Sequence, residues 1–214
     1  MNASNCLILS IEGNIGSGKS TVLQKLREAH PDWIFVDEPV NDWLALKNAK
    51  GESLLEVFYK DKQRWSYTFQ NAAILYRFKR LQDALKSVGE GKRVIVMERC
   101  LETDRQIFSK MLAKDGFIDE LEKKLYEDWF AHLIESCPSV DAYIYINTSA
   151  EKSFERLTKR ARQGESIIPL SYLQELAEYH QDWLFRINNK PVLDFDNSQA
   201  EINISKVADF VANF

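Results

Sequence analysis

A glycine-rich octapeptide near the amino terminus carries the clearest chemistry in the sequence. Residues 13–20 read GNIGSGKS and fit the pattern G-x-x-x-x-G-K-[ST] at every fixed position. In this pattern, glycines let backbone N–H groups curl around phosphate oxygens, and the start of the next helix adds partial positive charge. We expect Lys19 to reach the β- and γ-phosphates and the Ser20 hydroxyl to bind Mg²⁺. The predicted triphosphate site comprises Gly13, Asn14, Ile15, Gly16, Ser17, Gly18, Lys19, Ser20 and Thr21.

Charged side chains follow three predicted strands at the point where each strand ends. Glu38 comes one strand away from the phosphate loop and could accept a proton from a hydroxyl that attacks the γ-phosphate. Glu98 stands where an acidic residue holds Mg²⁺ through water, and Arg99 could neutralise both Glu38 and the transferring phosphate. Glu12, directly before the loop, is given a structural role. Charged residues also occur at strand ends simply because these ends meet solvent. The joint position of Glu38, Glu98 and Arg99 beside a phosphate loop nevertheless favours a catalytic role.

A long predicted helix carries a second face beside its apolar one. Gln70, Ala73 and Arg77 are spaced i, i+3 and i+7 and therefore lie on one side of it. A primary amide both donates and accepts hydrogen bonds, so Gln70 could read the edge of a nucleobase. The alternative is an ordinary solvent-facing stripe.

A cluster of cations ends another predicted helix. Arg156, Arg160 and Arg162 crowd this helix end, where positive charge is favourable in any protein. In a phosphate-loop kinase the same residues would form a lid that clamps the migrating phosphate. Both interpretations remain open on the pattern alone.

Apolar runs and helical stretches alternate along the chain, which predicts a doubly wound α/β fold with a parallel sheet. The runs are continuously apolar, as strands buried on both faces are. The strands are predicted at 7–11, 33–36, 94–97, 142–146 and 191–195. The helices are predicted at 20–29, 64–88, 103–114, 118–135, 150–162, 170–187 and 201–211, with Thr148 and Glu151 as a capping box.

Length and composition bound the class of protein. The chain has 214 residues and a net charge of −4, so we expect one domain (1–214) and no nucleic-acid partner, which would need a basic footprint. No apolar run suits a membrane span, and Met1–Asn5 lacks the features of a targeting peptide. Cys6, Cys100 and Cys137 are far apart, which predicts reduced thiols and a cytoplasmic location. A GTPase is disfavoured because 189–192 lacks the guanine-binding aspartate.

Taken in order, these motifs resemble those of the deoxyribonucleoside kinases of the deoxycytidine, deoxyguanosine and mitochondrial thymidine kinase type. The resemblance implies a five-stranded parallel sheet flanked by helices, a short arginine-rich lid over about residues 156–168, and usually a homodimer. It covers nearly the whole chain, through EGNIGSGKS at 12–20, DEPV at 37–40, RWSYTFQ at 64–70, ER at 98–99, DR at 104–105 and IPL at 168–170.

The resemblance also implies roles for individual residues. Glu38 would be the base at the 5′-hydroxyl with Arg99 bound to it, and Arg160 would be the lid cation nearest the phosphates. The base would pair with Gln70 and stack on Phe108. The residues implied to contact the deoxynucleoside are Glu38, Trp43, Phe58, Tyr59, Gln70, Ala73, Arg77, Arg99, Asp104, Phe108 and Glu165, with Tyr59 and Glu165 at the 3′-hydroxyl.

The resemblance extends to the choice of base and reaction. Arg77 and Asp104 would form an ion pair over the base beside Ala73, as in members that prefer deoxycytidine or deoxyguanosine. The prediction is therefore phosphoryl transfer from ATP to the 5′-hydroxyl of a 2′-deoxynucleoside, with thymidine a poor acceptor. Phe58 departs from the methionine that relatives often have. Two alternatives are a nucleoside monophosphate kinase and a non-catalytic nucleotide-binding protein.

Overall fold

Five parallel strands form the centre of the protein in a computed structural model, which describes residues 6–89, 93–162, 165–197 and 204–214. The strand order is β2-β3-β1-β4-β5. Every predicted strand is present, with each end within one residue of its predicted position. The predicted parallel α/β fold is therefore confirmed. The strands are β1 (Cys6–Glu12), β2 (Ile34–Val36), β3 (Arg93–Glu98), β4 (Ala142–Asn147) and β5 (Val192–Asp196).

Helices flank this sheet on both faces, and none in the described ranges combines the length and hydropathy needed to cross a bilayer. A π-helical segment (Asp104–Ser109) joins α5 to α6, and a short 3₁₀ helix (Glu165–Ile167) precedes α9. The α-helices are α1 (Lys19–Ala29), α2 (Val40–Ala45), α3 (Leu54–Lys60), α4 (Lys62–Lys86), α5 (Leu101–Thr103), α6 (Lys110–Lys114), α7 (Glu120–Glu135), α8 (Ala150–Arg160), α9 (Leu170–Leu184) and α10 (Ser205–Ala212).

Two apolar cores explain why the strands read as continuous hydrophobic runs. Leu9 and Ile11 of β1 pack into one core with residues of α1 and α10. Ile8, which directly precedes Leu9, points to the opposite face and packs with residues of α4, α7 and α9. Because successive side chains of a strand alternate between faces, a strand covered on both sides must be apolar throughout.

Several local predictions need correction. α2 and α3 were not predicted, because each is less than two turns long and the apolar periodicity of such a segment is hard to detect. The cap of α8 is Ser149, whose hydroxyl accepts from Lys152 N, and not the predicted pair of Thr148 and Glu151. The predicted helix 150–162 ends at Arg160, and residues 201–203 of the last predicted helix lie outside the described ranges.

The sheet order determines where a ligand can enter. β1 lies between β3 and β4. From β1 the chain forms β2 and β3 on one side of it, and then crosses to form β4 and β5 on the other side. In open parallel sheets, the carboxyl ends of the strands at such a reversal form a crevice that binds ligands. The phosphate loop follows β1 directly, so it lies in this crevice.

Candidate active site

The phosphate loop has the backbone geometry that its glycines predict. Gly16 and Gly18 take φ values of +82° and +100°, which side chains disfavour. A Cβ on Gly16 would lie 2.4 Å from the Ser153 carbonyl oxygen of α8, so only glycine fits there. The Lys19 ammonium donates to the carbonyl oxygens of Gly13 (3.2 Å) and Asn14 (2.8 Å) across the loop.

A cavity opens at the edge of the sheet where the carboxyl ends of the strands lie. It has a volume of about 510 Å³ and is lined by most of the predicted site residues. Gly13, Asn14 and Ser17 do not line it. The Asn14 side chain instead donates to the Leu173 carbonyl of α9 at 2.7 Å, and so anchors the loop. The predicted residues that do line the cavity are Ile15, Gly16, Gly18, Lys19, Ser20, Thr21, Glu38, Trp43, Phe58, Tyr59, Gln70, Ala73, Arg77, Glu98, Arg99, Asp104, Phe108, Arg156, Arg160, Arg162 and Glu165.

Ser20 and Glu98 bring two oxygen ligands together beside the loop. The Ser20 hydroxyl donates to Glu98 Oε1 at 3.1 Å, and the Lys19 ammonium lies 3.9 Å from the same oxygen. Burial, and next the charge of Glu38, raise the pKa of Glu98. A hydroxyl and a carboxylate are ligands that Mg²⁺ accepts when substrate phosphates and water complete its shell, so the pair fits such an ion.

Arg99 holds Glu38 in a fixed position at the end of β3. Its backbone has φ of +64°, a strained value for a residue with a side chain, and its N–H donates to the Ile11 carbonyl. Its guanidinium donates to Glu38 Oε1 at 2.5 Å and to the Gly13 carbonyl at 3.0 Å. The left-handed turn thus directs one side chain to both the carboxylate and the phosphate loop.

The charge state of Glu38 follows from these neighbours. Burial alone would raise the pKa of the carboxyl, but Arg99 first, and then Arg77 and Lys19, lower it to about 2. Burial, and next the Arg99 charge, lower the pKa of Lys19 to about 7. The low pKa of Glu38 means that its carboxylate is ionised at neutral pH and can accept, but not donate, hydrogen bonds.

Arg77 and Asp104 form a buried ion pair in the cavity wall next to Glu38. Arg77 Nε donates to Asp104 Oδ2 at 2.8 Å, and both side chains are 3% exposed. A second nitrogen of Arg77 donates to the Glu98 carbonyl at 2.9 Å, and a third lies 3.5 Å from Glu38 Oε1. The predicted solvent-facing alternative for this stripe of α4 is therefore wrong.

Aromatic rings close the remaining side of the cavity. Phe58 stacks on Phe69 with centroids 4.4 Å apart, and Trp43 meets Phe69 edge to face at 5.1 Å. Gln70 is 1% exposed, and its Oε1 has no hydrogen-bond partner. A buried amide oxygen without a partner is costly, so it is a natural contact for a polar ligand atom.

The predicted cluster of arginines separates into two groups that have different partners. Arg160 and Arg162 both bind the Glu165 carboxylate, at 2.6 and 3.1 Å. Arg156 instead donates to the Ser17 carbonyl at 2.9 Å and to the Asn197 carbonyl at 3.1 Å. Residues 163–164 of the predicted lid lie outside the described ranges.

Sequence reasoning missed two aromatic residues of the site. Phe69 and Tyr172 line the cavity, and Phe69 was assigned only to the apolar face of α4. Its stacking partner Phe58 lies on the unpredicted α3, whose Ser53–Glu56 capping box was a usable sequence signal. Nothing comparable points to Tyr172, because its place depends on the packing of α9.

Comparison with known proteins agrees with this geometry. The family model described as deoxynucleoside kinase matches residues 9–214. The chain is 35% identical to the mitochondrial deoxyguanosine kinase of Xenopus laevis over 95% of this chain and 89% of that protein. It is 34% identical to deoxycytidine kinase 2 of Gallus gallus (88% and 77% covered) and 33% identical to deoxycytidine kinase of Homo sapiens (87% and 78%).

The chain belongs to the deoxynucleoside kinase family. It is accordingly a phosphotransferase that phosphorylates nucleosides. The predicted family resemblance and the enzyme class are both confirmed.

Proposed function

We propose that this kinase transfers the γ-phosphoryl group of ATP to the 5′-hydroxyl of a 2′-deoxynucleoside, and prefers deoxycytidine or a deoxypurine to thymidine. The observation that carries the proposal is the shared cavity. The Glu38–Arg99 pair faces it from the ends of β2 and β3, the phosphate loop from the end of β1, and the unpartnered Gln70 oxygen from α4. Groups for a phosphate donor, a hydroxyl and a base edge thus converge on one space.

The chemistry follows from the charges in the cavity. The ionised Glu38 accepts a hydrogen bond from the 5′-hydroxyl and receives its proton as the oxygen attacks phosphorus. In a loose transition state the hydroxyl loses its proton late, so a carboxylate of low pKa serves mainly to orient it. Arg99 and Lys19 balance the charge on the equatorial oxygens of the transferring group. Arg160 and Arg162 would add to this balance after leaving Glu165.

Mg²⁺ would be held by the Ser20 hydroxyl and, directly or through water, by Glu98. When bound, it neutralises charge between the β- and γ-phosphates. The hydrogen bond of 3.1 Å between these two side chains supports their action as one site.

The base preference is inferred from Arg77 and Asp104. A charged pair that is buried beside Gln70 offers hydrogen bonds to an exocyclic amine and crowds the 5-methyl of thymine. The small side chain of Ala73, which lies between Gln70 and Arg77 on α4, leaves room for the base. Relatives named deoxycytidine and deoxyguanosine kinases are consistent with this preference.

The two alternative functions have less support. A nucleoside monophosphate kinase would bring the phosphate of its acceptor toward the ionised Glu38, which would repel it. A non-catalytic nucleotide-binding protein would not need the strained Arg99 to fix a carboxylate beside the phosphate loop.

A homodimer and a cytoplasmic location stay predictions. The dimer is supported by an apolar stripe on α7, where Leu121, Leu125 and Trp129 are 75%, 49% and 51% exposed. Leu75 of α4, a helix that packs against α7, is 55% exposed, and exposed apolar residues on adjoining helices favour an interface. Light scattering on the purified protein and on Leu125→Lys tests the dimer, and cell fractionation tests the location.

One assay separates the three functions. Purified protein is incubated with Mg-ATP and with panels of deoxynucleosides, ribonucleosides and nucleoside monophosphates, and ADP release is measured. We expect turnover with deoxynucleosides, weaker turnover with ribonucleosides and none with monophosphates. Turnover confined to monophosphates would support the first alternative, and no turnover with any acceptor would support the second.

A further inference from the structure

The Ser17 carbonyl, on the underside of the phosphate loop, accepts three hydrogen bonds from three other parts of the chain. The Asn197 amide donates at 2.7 Å, Arg156 at 2.9 Å and the Thr148 hydroxyl at 3.1 Å. Thr148 follows β4, Arg156 is on α8 and Asn197 follows β5. We call these three side chains the Ser17 clamp. Thr148 and Asn197 are 5% and 2% exposed, so two members of the clamp are buried.

The position of this carbonyl determines the direction of an amide that faces the cavity. In a planar trans peptide the C=O of one residue and the N–H of the next point in opposite directions. The Ser17 carbonyl is held toward β4, β5 and α8, so the Gly18 N–H is turned away from them. Gly18 lines the cavity and Ser17 does not. The clamp thus directs one N–H of the phosphate-binding nest toward the ligand.

Two further contacts make this arrangement tight. The other terminal guanidinium nitrogen of Arg156 donates to the Asn197 carbonyl. The Asn197 backbone N–H donates to the Asn147 carbonyl and so extends the β4–β5 pairing. A Cβ on Gly18 would lie 2.6 Å from the Asn197 amide nitrogen, so the clamp occupies the space that any other residue would need. The positive charge of Arg156 also polarises the peptide and strengthens its N–H as a donor.

We propose that Thr148, Arg156 and Asn197 are positioning residues that hold the Ser17–Gly18 peptide for the phosphates of the donor nucleotide. This inference assumes the proposed phosphate-donor site, and it gives Arg156 a task besides that of a lid cation. The clamp acts on phosphates alone. Its loss therefore weakens ATP and inorganic tripolyphosphate to the same degree and leaves the acceptor untouched.

The test measures the Kd of tripolyphosphate and of ATP, each with Mg²⁺, by calorimetry. Thr148→Val and Asn197→Leu each remove the group that donates to the Ser17 carbonyl, with little change of side-chain shape. We expect each to weaken both ligands by about fivefold, the size of one lost hydrogen bond. Thr148→Ser keeps the hydroxyl and should bind as the wild type does. Thr158→Val is the matched control, because its hydroxyl is exposed and donates within α8, to the Phe154 carbonyl.

Kinetics and melting temperatures complete the test. In the folded variants the KM for ATP should rise with an unchanged KM for the nucleoside, a split that general loosening of the fold would not produce. Unchanged tripolyphosphate affinity in both Thr148→Val and Asn197→Leu would overturn the proposal. So would a loss confined to ATP, because it would indicate contacts with the nucleoside part of the donor. If the wild type binds tripolyphosphate but phosphorylates no nucleoside, the proposed function fails while the clamp is still measured.

Discussion

The two halves of the cavity are built in different ways. The proposed phosphate-donor half is one continuous run after β1, in which backbone N–H groups would bind the phosphates and side chains mostly brace the loop. The acceptor half draws side chains from α2, α3, α4, the end of β3 and the π-helical segment. Its parts are joined by ion pairs, chiefly Glu38–Arg99 and Arg77–Asp104.

This difference separates the reaction from its specificity. In the donor half, the glycines allow the backbone conformation that directs the N–H groups toward the phosphates. Because other residues disfavour this conformation, the donor half tolerates little change. The acceptor half is formed by side chains that are joined in ion pairs. We therefore expect substitutions in the donor half to remove activity, and paired substitutions in the acceptor half to redirect it.

The largest effect should come from Lys19→Ala. Lys19 is the buried cation within the loop, and without it the charge of the γ-phosphate loses its main fixed partner. Turnover should fall below detection in the ADP-release assay, with the melting temperature retained. Most of the activity surviving in a folded variant would exclude this loop as the donor site.

Glu38→Gln should lower kcat by about 10²–10⁴-fold, the usual contribution of a positioned base. Because Glu38 also pairs with Arg99, the change leaves a buried guanidinium without its carboxylate, and the melting temperature should fall as well. Nucleoside binding, measured by calorimetry on the folded variant, should be largely kept. An equal loss of nucleoside affinity and of rate would make Glu38 an anchor for the substrate instead.

Arg99→Lys should lower kcat by about tenfold or more, since an ammonium cannot grip both Glu38 and the Gly13 carbonyl as a planar guanidinium does. Lysine keeps the positive charge but loses the planar grip whose hydrogen bond, together with the charge of Arg99, counters the effect of burial on the pKa of Glu38, so this pKa should rise in the variant. A raised pKa means that Glu38 is protonated at a higher pH, and kcat/KM of the variant should then decline as the pH is lowered. The wild type should show no such decline from Glu38, and identical profiles would contradict the assignment.

The smallest change in rate but the clearest change in specificity should come from Arg77→Met combined with Asp104→Ala. Removing both charges opens space for the 5-methyl of thymine, and thymidine kcat/KM should rise by about tenfold. Each single change should do worse, because it leaves a buried charge without its partner. Steady-state kinetics on the three variants measure this, and a thymidine gain in a single variant equal to that of the pair would refute the coupling.

What the sequence could predict follows the same division. The phosphate loop is local, so its pattern identifies Lys19 and Ser20 without knowledge of the fold. The five strands were equally clear, because burial on both faces makes them continuously apolar. Phe69 and Tyr172 were missed, since their contribution depends on how α3 and α9 pack, and Arg99 gave no sign of its positive φ. The division of the arginines between Ser17 and Glu165 is likewise a matter of tertiary contact.

The most direct measurement is a competition assay on the unmodified protein. Equal concentrations of deoxycytidine, deoxyadenosine, deoxyguanosine and thymidine are supplied with Mg-ATP, and the monophosphates are quantified by mass spectrometry at low conversion. The ion pair of Arg77 and Asp104 beside Gln70 predicts that a 5′-monophosphate of deoxycytidine or of a deoxypurine dominates and that thymidine monophosphate is a minor product. Thymidine monophosphate as the main product would contradict this account of the acceptor half.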